Sequence, residues 1–227
     1  MWILALDTSS PGGSAALARD GDLVASANGD PSRTHGERLP SDLLSVAGEA
    51  GVALSGIDLF AVSSGPGSFT GLRVGLASVQ ALALVHRRNV VQVSTLEALA
   101  RTPGAGELVL AWMDGHRRDV FAALYDRAGA ACVAGPSVGE PASILESWTG
   151  HVAGRRVDVV GDGVRLTRTL IAERLGPAAG MVDDPPPLAP IIARIAFERR
   201  DSAIAPHAAQ PLYVRRPDAV IARARRS

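Results

Sequence analysis

The chain has 227 residues, 47% hydrophobic and 20% charged, and its 23 basic and 23 acidic side chains balance to zero net charge. This length and balance predict one large or two small folded domains and exclude extended disorder and a global electrostatic pull toward nucleic acid. Every basic residue is arginine, which rules out a Walker-type phosphate lysine and a Schiff-base lysine.

The single cysteine, Cys132, can form neither an internal disulfide nor a thiolate metal cage and reads as a buried free thiol in a reducing compartment. No apolar run reaches the ~18 residues of a membrane helix. The opening Met1-Trp2-Ile3-Leu4-Ala5-Leu6-Asp7 lacks the basic region of a signal peptide. A cytoplasmic protein is expected.

Residues 3–8, 14–18 and 23–27 are short apolar runs separated by Pro11-Gly12-Gly13 and Arg19-Asp20-Gly21-Asp22, which predicts a three-stranded antiparallel meander. Over residues 37–50, Leu39, Leu43, Val46, Ala47 and Ala50 recur at helical spacing, with Pro40 placed in the first turn. His35 and Glu37 read as its cap and first-turn acid; a zinc site starting from His35 would need further cysteines. A strand over 57–64 leads through a glycine-rich loop to a helix over 71–84, apolar on almost every side and therefore expected to be buried on several. A strand over 90–93 follows, and Ser94 with Glu97 has capping-box spacing. The unit reads βββαβαβα.

Residues 102–106 predict a linker, dividing the chain into domains 1–102 and 103–227. The second half starts again with strands over 107–114 and 119–126. The segment 157–160 then leads into Gly161-Asp162-Gly163 and a helix to about residue 175, and a helix over 188–200 follows three prolines and is expected to pack back on the first domain. The tail arginines Arg215, Arg216, Arg223, Arg225 and Arg226 read as a solvated end, with RNA contact as the sharper alternative.

Three segments have chemistry to weigh. Asp7, Thr8 and Ser9 close the first strand, where a carboxylate and short hydroxyls either face phosphate or simply end a turn. Gly65-Pro66-Gly67-Ser68-Phe69-Thr70-Gly71 is neither a Walker loop nor a nucleophile elbow. Gly65, Gly67 and Ser68 are candidate phosphate-facing positions; alternatively Gly71 and Gly75, with Ser78, form a helix face for close backbone approach. Asp114-Gly115-His116-Arg117-Arg118-Asp119 holds acid, base and arginines but sits where a hairpin turn is due. No Ser/His/Asp triad can be assembled.

The run Ser63-Ser64-Gly65-Pro66-Gly67-Ser68-Phe69-Thr70-Gly71-Leu72-Arg73-Val74-Gly75-Leu76-Ala77 closely resembles the TsaB (YeaZ) family. Support extends to residues 3–9, 35–37, 93–99, Met113-Asp114, Arg117-Arg118, Gly161-Asp162-Gly163 and residues 211–219. The resemblance implies an α/β actin-like ATPase fold (ASKHA, ribonuclease H-like) of two related βββαβαβα-type domains, the second less regular. It further implies a non-catalytic scaffold subunit for tRNA threonylcarbamoyladenosine synthesis, partnered by a metal-bearing TsaD-type subunit and a TsaE-type ATPase, with tRNA reached mainly through the complex. Where the catalytic paralogue has an HxxxH pair, this chain has Thr95 and Leu99, which cannot replace imidazole ligands.

No tightly bound cofactor is implied, with ATP or ADP shared with partner subunits left open. The first two helices are implied as the interface with the partner or with a second copy, through Leu39, Leu43, Gly71, Arg73, Val74, Gly75, Ser78 and Val79. The rival reading is a stand-alone nucleotide hydrolase or kinase of the same fold.

Overall fold

The computed structural model describes residues 1–128 and 130–215. Strands β1 (Trp2–Asp7), β2 (Ser14–Arg19) and β3 (Asp22–Asn28) form an antiparallel meander, followed by helix α1 (His35–Glu49), β4 (Leu59–Gly65), α2 (Phe69–Val85), β5 (Asn89–Ser94) and α3 (Thr95–Ala100). The sheet order is β3-β2-β1-β4-β5, with β4 parallel to both β1 and β5.

The second half contains β6 (Leu108–Asp114), β7 (Val120–Asp126), β8 (Cys132–Gly139), the short helices α4 (Pro141–Ser147) and α5 (Thr149–Val152), β9 (Val157–Val160), α6 (Gly163–Leu175), β10 (Gly180–Val182) and α7 (Leu188–Glu198). Its sheet order, β10-β9-β6-β7-β8, is the first order over again: a meander of three strands, then two parallel strands beyond the first of them. The architecture is α/β and duplicated.

Strand periodicity decides which face each side chain serves. In β1, Leu4 and Leu6 face Leu39, Leu43 and Val46 of α1 and Leu76 and Val79 of α2, whereas Ile3 and Ala5 face the opposite way, toward α3 and α7. In β6, Val109, Ala111 and Met113 join that same α3–α7 layer, while Leu108, Leu110 and Trp112 pack against α4 and α6. The α3–α7 layer is thus shared by both sheets. Since β1, β4 and β6 are covered on both faces, they read as nearly continuous apolar runs.

Helix α7 is pinned to the first sheet at both ends. Its Ala189 amide donates to Ser14 Oγ at 3.0 Å. Its Phe197 ring lies over Gly21, which has φ +92 and no room for a side chain. Residue 204 then bridges to Val90 with two backbone bonds of 2.9 Å, and the Leu212 amide reaches the Ser64 carbonyl at 2.7 Å.

Several expectations need correction. Helix α1 starts two residues early, with Thr34 rather than His35 as its cap and Glu37 closing the box onto the Thr34 amide at 2.8 Å. Pro40 therefore falls in the second turn. The Ser94–Glu97 box does not form, because Glu97 is engaged by Arg199 and Arg101 instead. Cys132 is exposed, since it begins the edge strand β8, which no further strand covers. Among the described residues no helix is long and apolar enough to cross a membrane. The expected roles of Arg216, Arg223, Arg225 and Arg226 fall outside the described residues.

Candidate functional site

The parallel strands β1 and β4 end side by side, which brings Asp7, Thr8 and Ser9 against the glycine-rich loop. The Ser68 amide donates to the Ser9 carbonyl at 2.8 Å, and the Thr8 amide to Ser63 Oγ at 3.3 Å. Asp7 is buried and accepts the Ser9 amide at 3.0 Å. The hydroxyls of Thr8 and Ser9 are buried without a hydrogen-bond partner.

Asp7 and Ser9 line a cleft of about 680 Å³ between the two sheets, facing Asp162, Arg165, Asp183 and Asp184. Four carboxylates against one arginine make it an acidic cleft. Arg165 lies 3.5 Å from Asp184, and a bond from Arg168 at 2.8 Å holds the Asp183 carboxyl below the usual carboxylate range. Gly67 and Ser68 face a second cavity on the other side of the loop. Gly65 is packed against the Leu212 carbonyl and Leu72, and Thr8 is wholly buried.

Behind the cleft, Arg38 is 1% exposed. Its guanidinium reaches the Gly12 carbonyl, Asp42 and His35 Nδ1, and it runs against Gly29 and Gly13, where a side chain would crowd it. With Arg38 donating to Nδ1, the ring proton of His35 sits on Nε2, and the ring bonds to the Ser10 backbone. Burial, and then the charge of Arg38, hold the His35 imidazole below the usual histidine range.

The expected interface set divides. Leu39, Leu43 and Val79 are between 1% and 4% exposed and lie in the core under α1 and α2, so they present no surface. The docking role that the resemblance implied for them does not fit, because they belong to the buried faces of their helices. Gly71 and Gly75 are buried too, and what they admit is Thr8 of the β1–β2 turn, with the His35 ring at the start of α1 also against Gly71. Val74 and Ser78 are half-buried, with Ser78 Oγ bonded to the Val74 carbonyl at 2.8 Å. Arg73 is exposed and stacks over the Phe69 ring at 3.9 Å.

The outward face of α2 is formed by other residues: Ala77, Ala81, Leu84 and Val85, the last two more than 70% exposed. They recur at helical spacing, but the uniform apolarity of α2 hides which side faces out. Leu44 on α1 is 60% exposed as well.

The family model described as TsaD: tRNA N6-adenosine threonylcarbamoyltransferase matches residues 29–174. The Escherichia coli tRNA threonylcarbamoyladenosine biosynthesis protein TsaB is 37% identical over 131 residues, 56% of either chain. A Pseudomonas aeruginosa crystal structure described as similar to peptidase YEAZ superposes with a TM-score of 0.80 at 29% identity, covering 94% of this chain and 99% of that one. The chain belongs to the TsaB/YeaZ family.

It spans little more than half the length of the curated relatives it matches. The Clostridium difficile activator of 2-hydroxyisocaproyl-CoA dehydratase, with a TM-score of 0.53 at 15% identity, shares the fold alone. At the positions compared above with the HxxxH pair, Thr95 and Leu99 are buried in α3, at 0% and 2% exposure. Among the described residues no three His, Cys, Asp or Glu side chains gather as metal ligands.

Proposed function

We propose that this chain is a cytoplasmic, non-catalytic accessory subunit for tRNA N6-threonylcarbamoyladenosine synthesis. In this reading it docks a TsaD-type catalytic subunit through the outward face of α2 and works with a TsaE-type ATPase. The observation that carries the proposal is the apolar stripe Ala77, Ala81, Leu84 and Val85, left uncovered on a helix whose other side is core. Exposed apolar surface arranged along one helix face is what a partner buries.

Thr95 and Leu99 support the assignment of catalysis to the partner, because a hydroxyl and an alkyl chain cannot act as imidazole ligands. The acidic cleft supports it too, since its four carboxylates oppose the phosphates of a nucleotide placed in that cleft. ATP belongs to the partner subunits or to a site shared with them. In the absence of a partner the same stripe joins two copies of the chain.

The test is reconstitution from purified TsaD-type and TsaE-type subunits, the threonylcarbamoyl donor, ATP and tRNA, with and without this chain. Labelled threonine should enter tRNA only when the chain is present. Equal incorporation without it would overturn the accessory role and favour the stand-alone nucleotide enzyme.

A further inference from the structure

We propose that the cavity between the glycine-rich loop and the β6–β7 hairpin is a nucleotide-binding pocket. It measures about 510 Å³, within the range of small-molecule sites. Three aromatic rings, Phe69, Phe121 and Tyr213, and three basic side chains, His116, Arg117 and Arg215, line it, and no carboxylate does. The acidic cleft on the far side of the loop has the opposite character.

The walls are held in place before any ligand arrives. Phe69 and Tyr213 are 54% and 42% exposed, yet their rings sit 5.8 Å apart at 33°. Arg73 fixes both, stacking on Phe69 and donating from Nε to the Tyr213 hydroxyl at 3.1 Å. Across the cavity, Arg215 lies 5.5 Å over Phe121, with Nη1 on the Gly115 carbonyl at 2.8 Å and Nη2 on Asp119 at 2.5 Å. Exposed rings with fixed orientation offer a stacking platform at little entropic cost.

The hairpin adds a second, independent sign. His116, Arg117 and Arg118 are three consecutive non-glycine residues in the left-handed region, at φ +56, +56 and +70. Such residues are uncommon singly, and they cluster where a surrounding structure holds side chains for a task. Here the Gly115 amide bond to the Asp119 carbonyl at 2.9 Å closes the turn, and His116 and Arg117 end up in the cavity wall.

A flat ring to lie on Tyr213 and Phe69, joined to an anion for Arg117 and Arg215, describes a nucleotide. The start of the 17-residue α2 lines the same cavity and adds its positive end. The nucleotide is either free or an unpaired residue of an RNA strand. This site is separate from the α2 docking face, and the proposal stands or falls independently of the accessory role.

The test uses the full chain alone. Calorimetry with AMP and with inorganic phosphate, and fluorescence anisotropy with a short unstructured RNA, should give saturable binding of AMP, of RNA or of both. Which of the two binds identifies the source. Tyr213→Ala should weaken that binding at least about fivefold, as loss of one stacked base does, while Tyr213→Phe keeps it and Arg165→Ala in the acidic cleft leaves it unchanged. Absence of both AMP and RNA binding would overturn the proposal, as would phosphate binding as well as AMP. Loss of binding on Arg165→Ala with none on Tyr213→Ala would place the nucleotide in the cleft and overturn it too. Because Tyr213 is exposed, unchanged thermal melting of its variants separates lost binding from lost fold.

Discussion

Arg199 lays its two terminal nitrogens on the two carboxylate oxygens of Glu97, Nη1 on Oε2 at 2.9 Å and Nη2 on Oε1 at 2.5 Å. Glu97 is 7% exposed and also accepts from Arg101 at 3.2 Å, so this pairing joins the end of α7 to α3 across 102 residues of chain. A buried carboxylate that loses its bidentate partner keeps its desolvation cost. Arg199 itself is 42% exposed, and Arg101 remains, so the cost is well below that of a fully buried pair. Arg199→Ala should destabilise the chain by about 1–2 kcal/mol, seen in urea titration as a lower midpoint with an unchanged slope.

Gly75 should tolerate no side chain for a reason unrelated to docking. A methyl group there would crowd Thr8 Cγ2 at 2.9 Å and Thr8 Cβ at 3.1 Å, besides striking the Thr8 hydroxyl. Gly75→Ala should cost about 1–3 kcal/mol. Thr8→Ala removes a hydroxyl that has no hydrogen-bond partner, so the double variant should recover much of that loss. A coupling of at least about 0.5 kcal/mol in the double-mutant cycle is expected, and additive losses would show that Thr8 is not what Gly75 accommodates.

Stability should fall on mild acidification, and His35 is the cause. Its imidazole is held neutral by burial and by Arg38, against the opposing pull of Asp7, Asp42 and the Ser10 carbonyl. In the unfolded chain it takes a proton near pH ~6.5, whereas the folded chain takes one only at lower pH. Between those points the unfolded state binds more protons, so stability is fully present above the unfolded value and is lost as pH drops through the window. His35→Asn should flatten thermal stability between about pH 7 and pH 5. Glu37, Asp20, Asp30 and Asp183, all shifted downward by hydrogen bonds, lose their contributions only in stronger acid.

The outward face of α2 should separate association from folding. Ala81→Arg and Leu84→Asp put charge on exposed positions, so each should change stability by no more than about 0.5 kcal/mol. Each should abolish co-elution with a TsaD-type subunit in size-exclusion chromatography. Retained co-elution of both variants would move the docking surface elsewhere on the molecule.

What the sequence made legible follows from local chemistry. The first meander was readable because Pro11-Gly12-Gly13 and Asp20-Gly21 punctuate short apolar runs, and the helical spacing of Leu39, Leu43 and Val46 located α1. Residues 132–152 gave no periodic signal, since β8 is an edge strand of mixed burial and α4 is only 7 residues long. Asp7 ends the first strand, as its place after a short apolar run predicts, and only the structure shows that it and Ser9 line the cleft.

Long-range partners were not legible. Nothing near Glu97 announces Arg199, so its capping-box spacing pointed to a bond that the ion pair displaces. The burial of Arg38 has no sequence signal of its own, because the room for its guanidinium is left by Gly13 and Gly29 on other segments. The aromatic cavity is assembled from three distant segments, around Phe69, Phe121 and Tyr213, and only the fold brings them together.

The placement of α7 also bears on how the chain is made. Ile3, Ala5, Ala16 and Ala18 find their cover in Leu188, Ala189, Ile192 and Ala193, which a ribosome adds long after them. The first sheet must therefore wait, one apolar face open, while the whole second lobe is synthesised. A nascent chain halted before residue 188 carries that bare face as a natural substrate for chaperones, and a fragment cut at residue 102 inherits it permanently.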